Sequence, residues 1–205
     1  MYLNDKEKQE ISKEIENLEQ QSSAELVAVV TKRSASYKYI SSLLSISILA
    51  FLSILLIIFT QISSLLLVEI QLFTFLILYL LLEKFDNIIV LILPKAYKYN
   101  IAKEYANKQF SNLGLNRTKT NQTLMFFVSL DEKYVEIIAD DTISSKISNE
   151  YFQEIVDTFI ADVKNNQLSN GYLKAIQSCS QKLIQEFPIQ DNDENELTND
   201  VIELG

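Results

Sequence analysis

From Tyr39 to Leu82 the chain carries a single charge, Glu69, and that run limits every other reading. A stretch so apolar is not stable in water. As a helix it would measure about 66 Å at roughly 1.5 Å per residue, against a hydrocarbon core of roughly 30 Å, so it is expected to cross a bilayer twice. A turn that leaves lipid needs polar residues, and Gln61 to Ser64 supply them. The expectation is a transmembrane helical hairpin over 39–83, with spans near 41–60 and 65–82. Glu69 then falls one turn inside the second span, where a carboxylate leans out to the interface. A cleavable leader is not expected, because no short apolar core precedes the run.

The flanks set an orientation. Lys32, Arg33 and Lys38 precede the first span, Lys84, Lys95 and Lys98 follow the second, and the connecting turn has neither Lys nor Arg. Lys and Arg accumulate on the cytoplasmic side, so both termini and the soluble domain are expected in the cytoplasm, with the lipid bilayer as the first partner.

On either side of the hairpin lie pieces of an α/β domain. In the first piece, 1–36, Asn4 and Glu7 have the spacing of a capping box, and Ile11, Ile15 and Leu18 recur at helical intervals. Ala24 to Thr31 (AELVAVVT) reads as a β-branched strand. One strand alone has nothing to pair with. Its partners must come from the second piece, 84–189, where Leu124 to Leu130 (LMFFVSL) and Tyr134 to Ala139 (YVEIIA) flank a turn at Asp131 to Lys133. Three helices are expected around them. One follows Ala102, Tyr105, Ala106, Phe110 and Leu113 and ends at Gly114, a second follows Phe152, Ile155, Val156, Phe159 and Val163, and a third runs from about Gly171 to Phe187 and stops at Pro188. Ile88 to Leu93 is too short to span and reads as an interfacial helix or a continuation of the second membrane helix. The segment 190–205 is acidic and polar, so a mobile tail is the expectation. The fold class is therefore α/β, a small helix-covered sheet interrupted by a membrane hairpin.

Several chemistries are excluded by what the chain lacks. It has no histidine, so imidazole acid–base catalysis and His-ligated metals are out. Its single cysteine, Cys179, rules out an internal disulfide and reads as a small apolar core residue. A net charge of -9 argues against nucleic acid as a partner.

Three stretches together resemble the TPM domain, in a branch of bacterial membrane proteins where two hydrophobic helices interrupt the domain. Ser23 to Val30 (SAELVAVV) is similar to the first strand of that family. Phe110 to Ile143, with FSNLGLNRT and FFVSLDEKYVEIIADDTI, is similar to its helix end and hairpin. Phe187–Pro188 followed by Asn195 to Leu197 (NEL) resembles its terminal signature. The chain departs from the pattern at Asn121, Gln122 and Thr123, where Arg-Thr-Gly is usual, and at Asp141 and Thr142, where a glycine is common. The resemblance implies a helix-covered sandwich in a bacterial inner membrane, with calcium binding and weak phosphatase activity among relatives.

Carboxylates are the remaining site chemistry. Asp140 and Asp141 follow a strand end and form the candidate metal pair, with calcium or magnesium as the expected cation. Asp131 and Glu132 lie at the opposite end of that strand and cannot share the ion. Asp191, Asp193 and Asn195 copy the first positions of a calcium loop, but Glu196 and Ile202 replace its glycine and its bidentate glutamate. No Walker loop and no nucleophile beside a base is visible. The expected function is a membrane-anchored, non-catalytic interaction or divalent-cation-binding module, engaging a membrane protein or a second copy of itself. The alternative is a divalent-metal-dependent phosphatase-like enzyme.

Overall fold

The computed structural model describes residues 3–84, 86–190 and 195–204. Asp191 and Asp193 lie outside the described residues. The chain divides into two compact units, one made of Met1–Ser34 with Tyr99–Gly205 and one of Ala35–Lys98.

In the first unit, Asn4 starts helix α1 (Asp5–Glu19). Its side chain accepts from the Glu7 amide at 2.9 Å, while the Glu7 carboxylate accepts from the Asn4 amide at 2.7 Å. This reciprocal cap satisfies two donors that a helix start leaves open. Ile11, Ile15 and Leu18 are the buried stripe of α1.

Strand β1 (Glu25–Thr31) is buried along its whole length, as is β2 (Thr123–Ser129). The two pair in parallel, Glu25 opposite Thr123 through Thr31 opposite Ser129. Parallel strands are normally covered on both faces, and the apolar run of β1 reflects that. Strand β3 (Tyr134–Ala139) returns antiparallel to β2 across a turn in which Lys133 has φ +53°.

The acidic segment expected to be a mobile tail forms a fourth strand instead. β4 (Ile202–Leu204) pairs in parallel with Val29 to Thr31, giving the order β3-β2-β1-β4. Two apolar side chains, Ile202 and Leu204, suffice because they alternate onto one face of a sheet that is already built.

One face of the sheet carries Leu26, Ala28, Val30, Leu124, Phe126 and Val128 against α1, α7 (Asn149–Lys164) and α8 (Leu168–Glu186). Phe126 is at its centre, 5.1 Å from the ring centroids of both Phe159 and Tyr172 in edge-to-face geometry. The buried Tyr172 hydroxyl donates to the Val29 carbonyl at 3.1 Å, which satisfies it. Helix α8 begins three residues before Gly171. A Cβ there would meet Phe159 at 3.1 Å and Asp162 at 3.2 Å, so Gly171 lets α7 and α8 approach closely inside the helix instead of starting it. Cys179 is fully buried, and burial pushes its thiol up to about 12.

The opposite face carries Val27, Val29, Met125 and Phe127. It is covered by Ala106 and Phe110 of α5 (Lys95–Asn112), a helix that belongs to this unit from Tyr99 onward. Gly114 follows α5 at φ +72°, the left-handed conformation that glycine adopts without a Cβ penalty. Leu115 in the next turn is buried on the same face.

The second unit contains α2 (Lys38–Phe59), α3 (Ser64–Lys84) and α4 (Asp86–Ile92). α2 and α3 are long and apolar enough to cross a membrane, with mean hydropathies of 2.8 and 2.4. They pack on each other, and Gln71 Nε2 donates to Ser53 Oγ at 2.8 Å between them. The residues that α2 buries are Ser41, Ser45 and Ser53, small side chains of the kind that let apolar helices come together. Their leucines, isoleucines and phenylalanines remain exposed.

Candidate functional site

Asp140 is where the sequence places a cation, and the backbone uses both of its oxygens. Oδ1 accepts from the Ile143 amide at 3.0 Å, capping α6 (Asp141–Lys146), and Oδ2 accepts from the Thr123 amide at 2.8 Å. Asp140 therefore ties the end of β3 to the start of β2. The short helix α6 was not expected, and it forms because an Asp in extended conformation satisfies its first turn. Burial raises the Asp140 pKa above its ordinary value, while the amides of Ile143, Thr123 and Thr142 pull it back and Asp141 pushes it further up. Asp141 is exposed in the first turn of α6. A calcium or magnesium ion there would compete with the helix cap for the carboxylate. Among the described residues no group of three Asp, Glu or Cys side chains converges as a metal-ligand set.

The entrance to β2 departs from the TPM pattern and solves the backbone problem differently. Asn121 adopts φ +50°, a conformation that asparagine tolerates better than most residues. Thr118 and Thr123 hydroxyls meet at 3.0 Å behind it.

At the other end of the hairpin, Glu132 is almost fully buried and accepts from Ser129 Oγ at 2.5 Å and from the Ser34 amide at 3.2 Å. Ser34 Oγ donates to Ser129 Oγ at 2.9 Å. Beside them Arg33 Nε and Nη2 both donate to Asp131 Oδ2, at 2.8 and 2.7 Å. Asp131 and Glu132 are thus joined to the segment after β1, far from Asp140, as their strand positions require. No local pattern marks Glu132 as internal, since a Glu in a hairpin turn is ordinarily solvated.

A third acidic place joins α1, β1 and the segment 195–204. Glu19 and Glu25 face each other, and Glu25 is 6% exposed. Burial first, then the Glu25 carboxyl, push Glu19 from 4.5 up to about 8. Asn195 Nδ2 donates to Glu19 Oε2 at 2.7 Å, and the Glu196 amide donates to Glu25 Oε1 at 3.0 Å. The Glu196 carboxylate accepts from the Lys119 amide at 3.1 Å. The signal for this contact was a charged residue opening a strand buried on both faces, a position that needs a polar partner.

Together these features define a helix-covered mixed α/β domain whose first strand is separated from the second by a pair of apolar helices. The TPM domain family matches residues 82–182, from the end of α3 into α8. The matched stretch, just under half of the chain, is a TPM domain. α1, β1 and β4 lie outside the matched stretch, and β1 and β4 complete its sheet from the far sides in sequence. The NMR structure of the BA42 protein from the psychrophilic bacterium Bizionia argentinensis is similar over 99% of this chain and 96% of that one, with a TM-score of 0.62 and 16% identity. At that identity the likeness is one of fold. No curated protein matches the chain.

Proposed function

We propose that this is a membrane-anchored TPM module, in which α2 and α3 cross a bacterial inner membrane as a hairpin and hold a non-catalytic interaction domain at the cytoplasmic face. The observation that carries this reading is the exposure of α2 and α3. Only 6% of the most apolar window of α2 is buried, and none of that of α3. A core helix of a water-soluble protein hides such side chains, whereas these display Leu43, Phe51, Ile57, Leu72, Phe73 and Leu80, the surface that acyl chains cover. Lys38 and Lys84 flank the pair, and the connecting residues 60–63 carry no Lys or Arg. This distribution supports a cytoplasmic placement for both ends.

Binding of calcium or magnesium at Asp140 and Asp141 is the cation form of the same reading. The expected result of alkaline carbonate extraction is that the protein stays with the membrane and leaves it only in detergent. Release by carbonate overturns the anchor. Protease added to inverted vesicles should remove the segment 195–204, and protection of that segment there overturns the cytoplasmic placement.

A further inference from the structure

Residues 195–204 form a strap held at two places. At its far end β4 makes a three-residue parallel ladder with β1, and Lys8 of α1 meets Glu203 at 2.9 Å. At its near end Asn195 and the Glu196 amide hold the Glu19 and Glu25 carboxyls. A three-residue edge strand is a weak attachment by itself, so the near end decides whether the strap stays. We propose that the Glu19–Glu25 contact is a proton-operated catch: with a proton shared between the two carboxyls the strap is docked, and when that proton leaves, β4 separates from β1.

The geometry supports this from every side of the contact. Two carboxyls that face each other in a place poorly reached by water are held together by one proton and repel once both are ionised. Glu19 accepts from the Asn195 and Asn199 side chains and the Leu26 amide, and Glu25 from the Glu196 amide. The strap itself brings Glu196, Asp200 and Glu203. From α1, Lys8, Lys13 and Glu16 line the shallow groove beside Asp200. Of these, Lys8 is paired with Glu203 at the far end of the strap. The Glu196 carboxylate is held by the Lys119 backbone amide, a donor with no titration of its own. Glu19 is the group that changes, and the loss of its proton adds a negative charge to an acidic strap. Separation exposes the outer edge of β1 at Val29 to Thr31, a row of backbone donors and acceptors able to take another strand.

Hydrogen exchange on the full-length protein in detergent tests the catch, with each amide rate corrected for its intrinsic pH dependence. Protection of Ile202 to Leu204 should fall at least ~10-fold between about pH 5 and pH 9, while Leu124 to Val128 in β2 keep theirs. In Glu19→Gln, whose amide donates to Glu25 without titrating, the strap should remain protected at both pH values, and Glu25→Gln should behave alike. Equal protection of the strap at both pH values in the natural sequence overturns the proposal. So does a pH response that persists unchanged in both variants.

Discussion

Carboxylates withdrawn from solvent, wholly or in part, come in two kinds in this molecule. Asp140 and Glu132, at opposite ends of the β2–β3 hairpin, are met by donors: backbone amides for the first, a serine hydroxyl and an amide for the second. Glu19 and Glu25 are met in large part by each other. A carboxylate met by amide or hydroxyl donors ties together the elements that supply them. A carboxyl facing another carboxyl is stable only while one of them keeps a proton. The same functional group is therefore a donor-held tie at the hairpin and a carboxyl–carboxyl contact under the strap.

The largest effect that would break this comparison is at Glu132. Glu132→Ala leaves the Ser129–Ser34 pair and the Ser34 amide buried without their acceptor, and should cost roughly 3 kcal/mol in chemical denaturation. A loss under about 0.5 kcal/mol would show that water replaces the carboxylate and that it is no tie. Next comes Asp140→Ala, which removes the α6 cap and the bond to Thr123 and should cost about 1–2 kcal/mol. Asp140→Asn should recover part of this, because an amide oxygen still caps.

Glu19→Gln should act through pH. Folding raises the Glu19 pKa from 4.5 to about 8, so the folded state holds a proton that the unfolded chain releases. That stabilisation is complete below about 4.5 and is lost as pH rises through about 8. Thermal unfolding of the natural sequence should therefore show a melting temperature that declines across this window. The variant should flatten the decline, and an unchanged slope would move Glu19 into the first kind. Its amplitude should be smaller than the Asp140 loss, because water reaches part of Glu19. The smallest effect is at Asp141, where Asp141→Asn should change stability by less than about 0.5 kcal/mol. Calorimetric titration with calcium and magnesium sharpens the same point. A carboxylate already accepting two amides should bind no tighter than millimolar and lose that binding in Asp140→Asn, whereas micromolar binding would mean that the cation displaces the cap.

Periodicity carried most of the fold into view. α1, α5 and α7 each show an apolar stripe at helical spacing, and β1, β2 and β3 are short β-branched or aromatic runs between polar breaks, so local pattern and final structure agree there. α6 escaped because six residues hold too few positions for a stripe, and its existence rests on one cap. β4 escaped because Ile202 and Leu204 stand in an acidic run whose composition reads as disorder, and its partner strand lies at the other end of the sequence. At the candidate site the adjacency of Asp140 and Asp141 was visible, but the use of Asp140 as a staple was not. Which amides surround a carboxylate depends on how strands pair, and that is a tertiary property. Glu25 at the head of a buried strand was visible, but that it faces Glu19 was hidden for the same reason.

The parallel pairing of β1 with β2 also orders events during synthesis. β1 leaves the ribosome before the two apolar helices, and its β2 partner only after them, so LVAVV at Leu26 to Val30 has no place in a sheet while α2 and α3 are being made. Such a segment, short, uncharged and β-branched, is the kind that associates with copies of itself when left open. Glu25 at its head and Lys32 and Arg33 just beyond its end flank it with charge, and the nascent chain relies on those gatekeepers until Thr123 to Ser129 arrive.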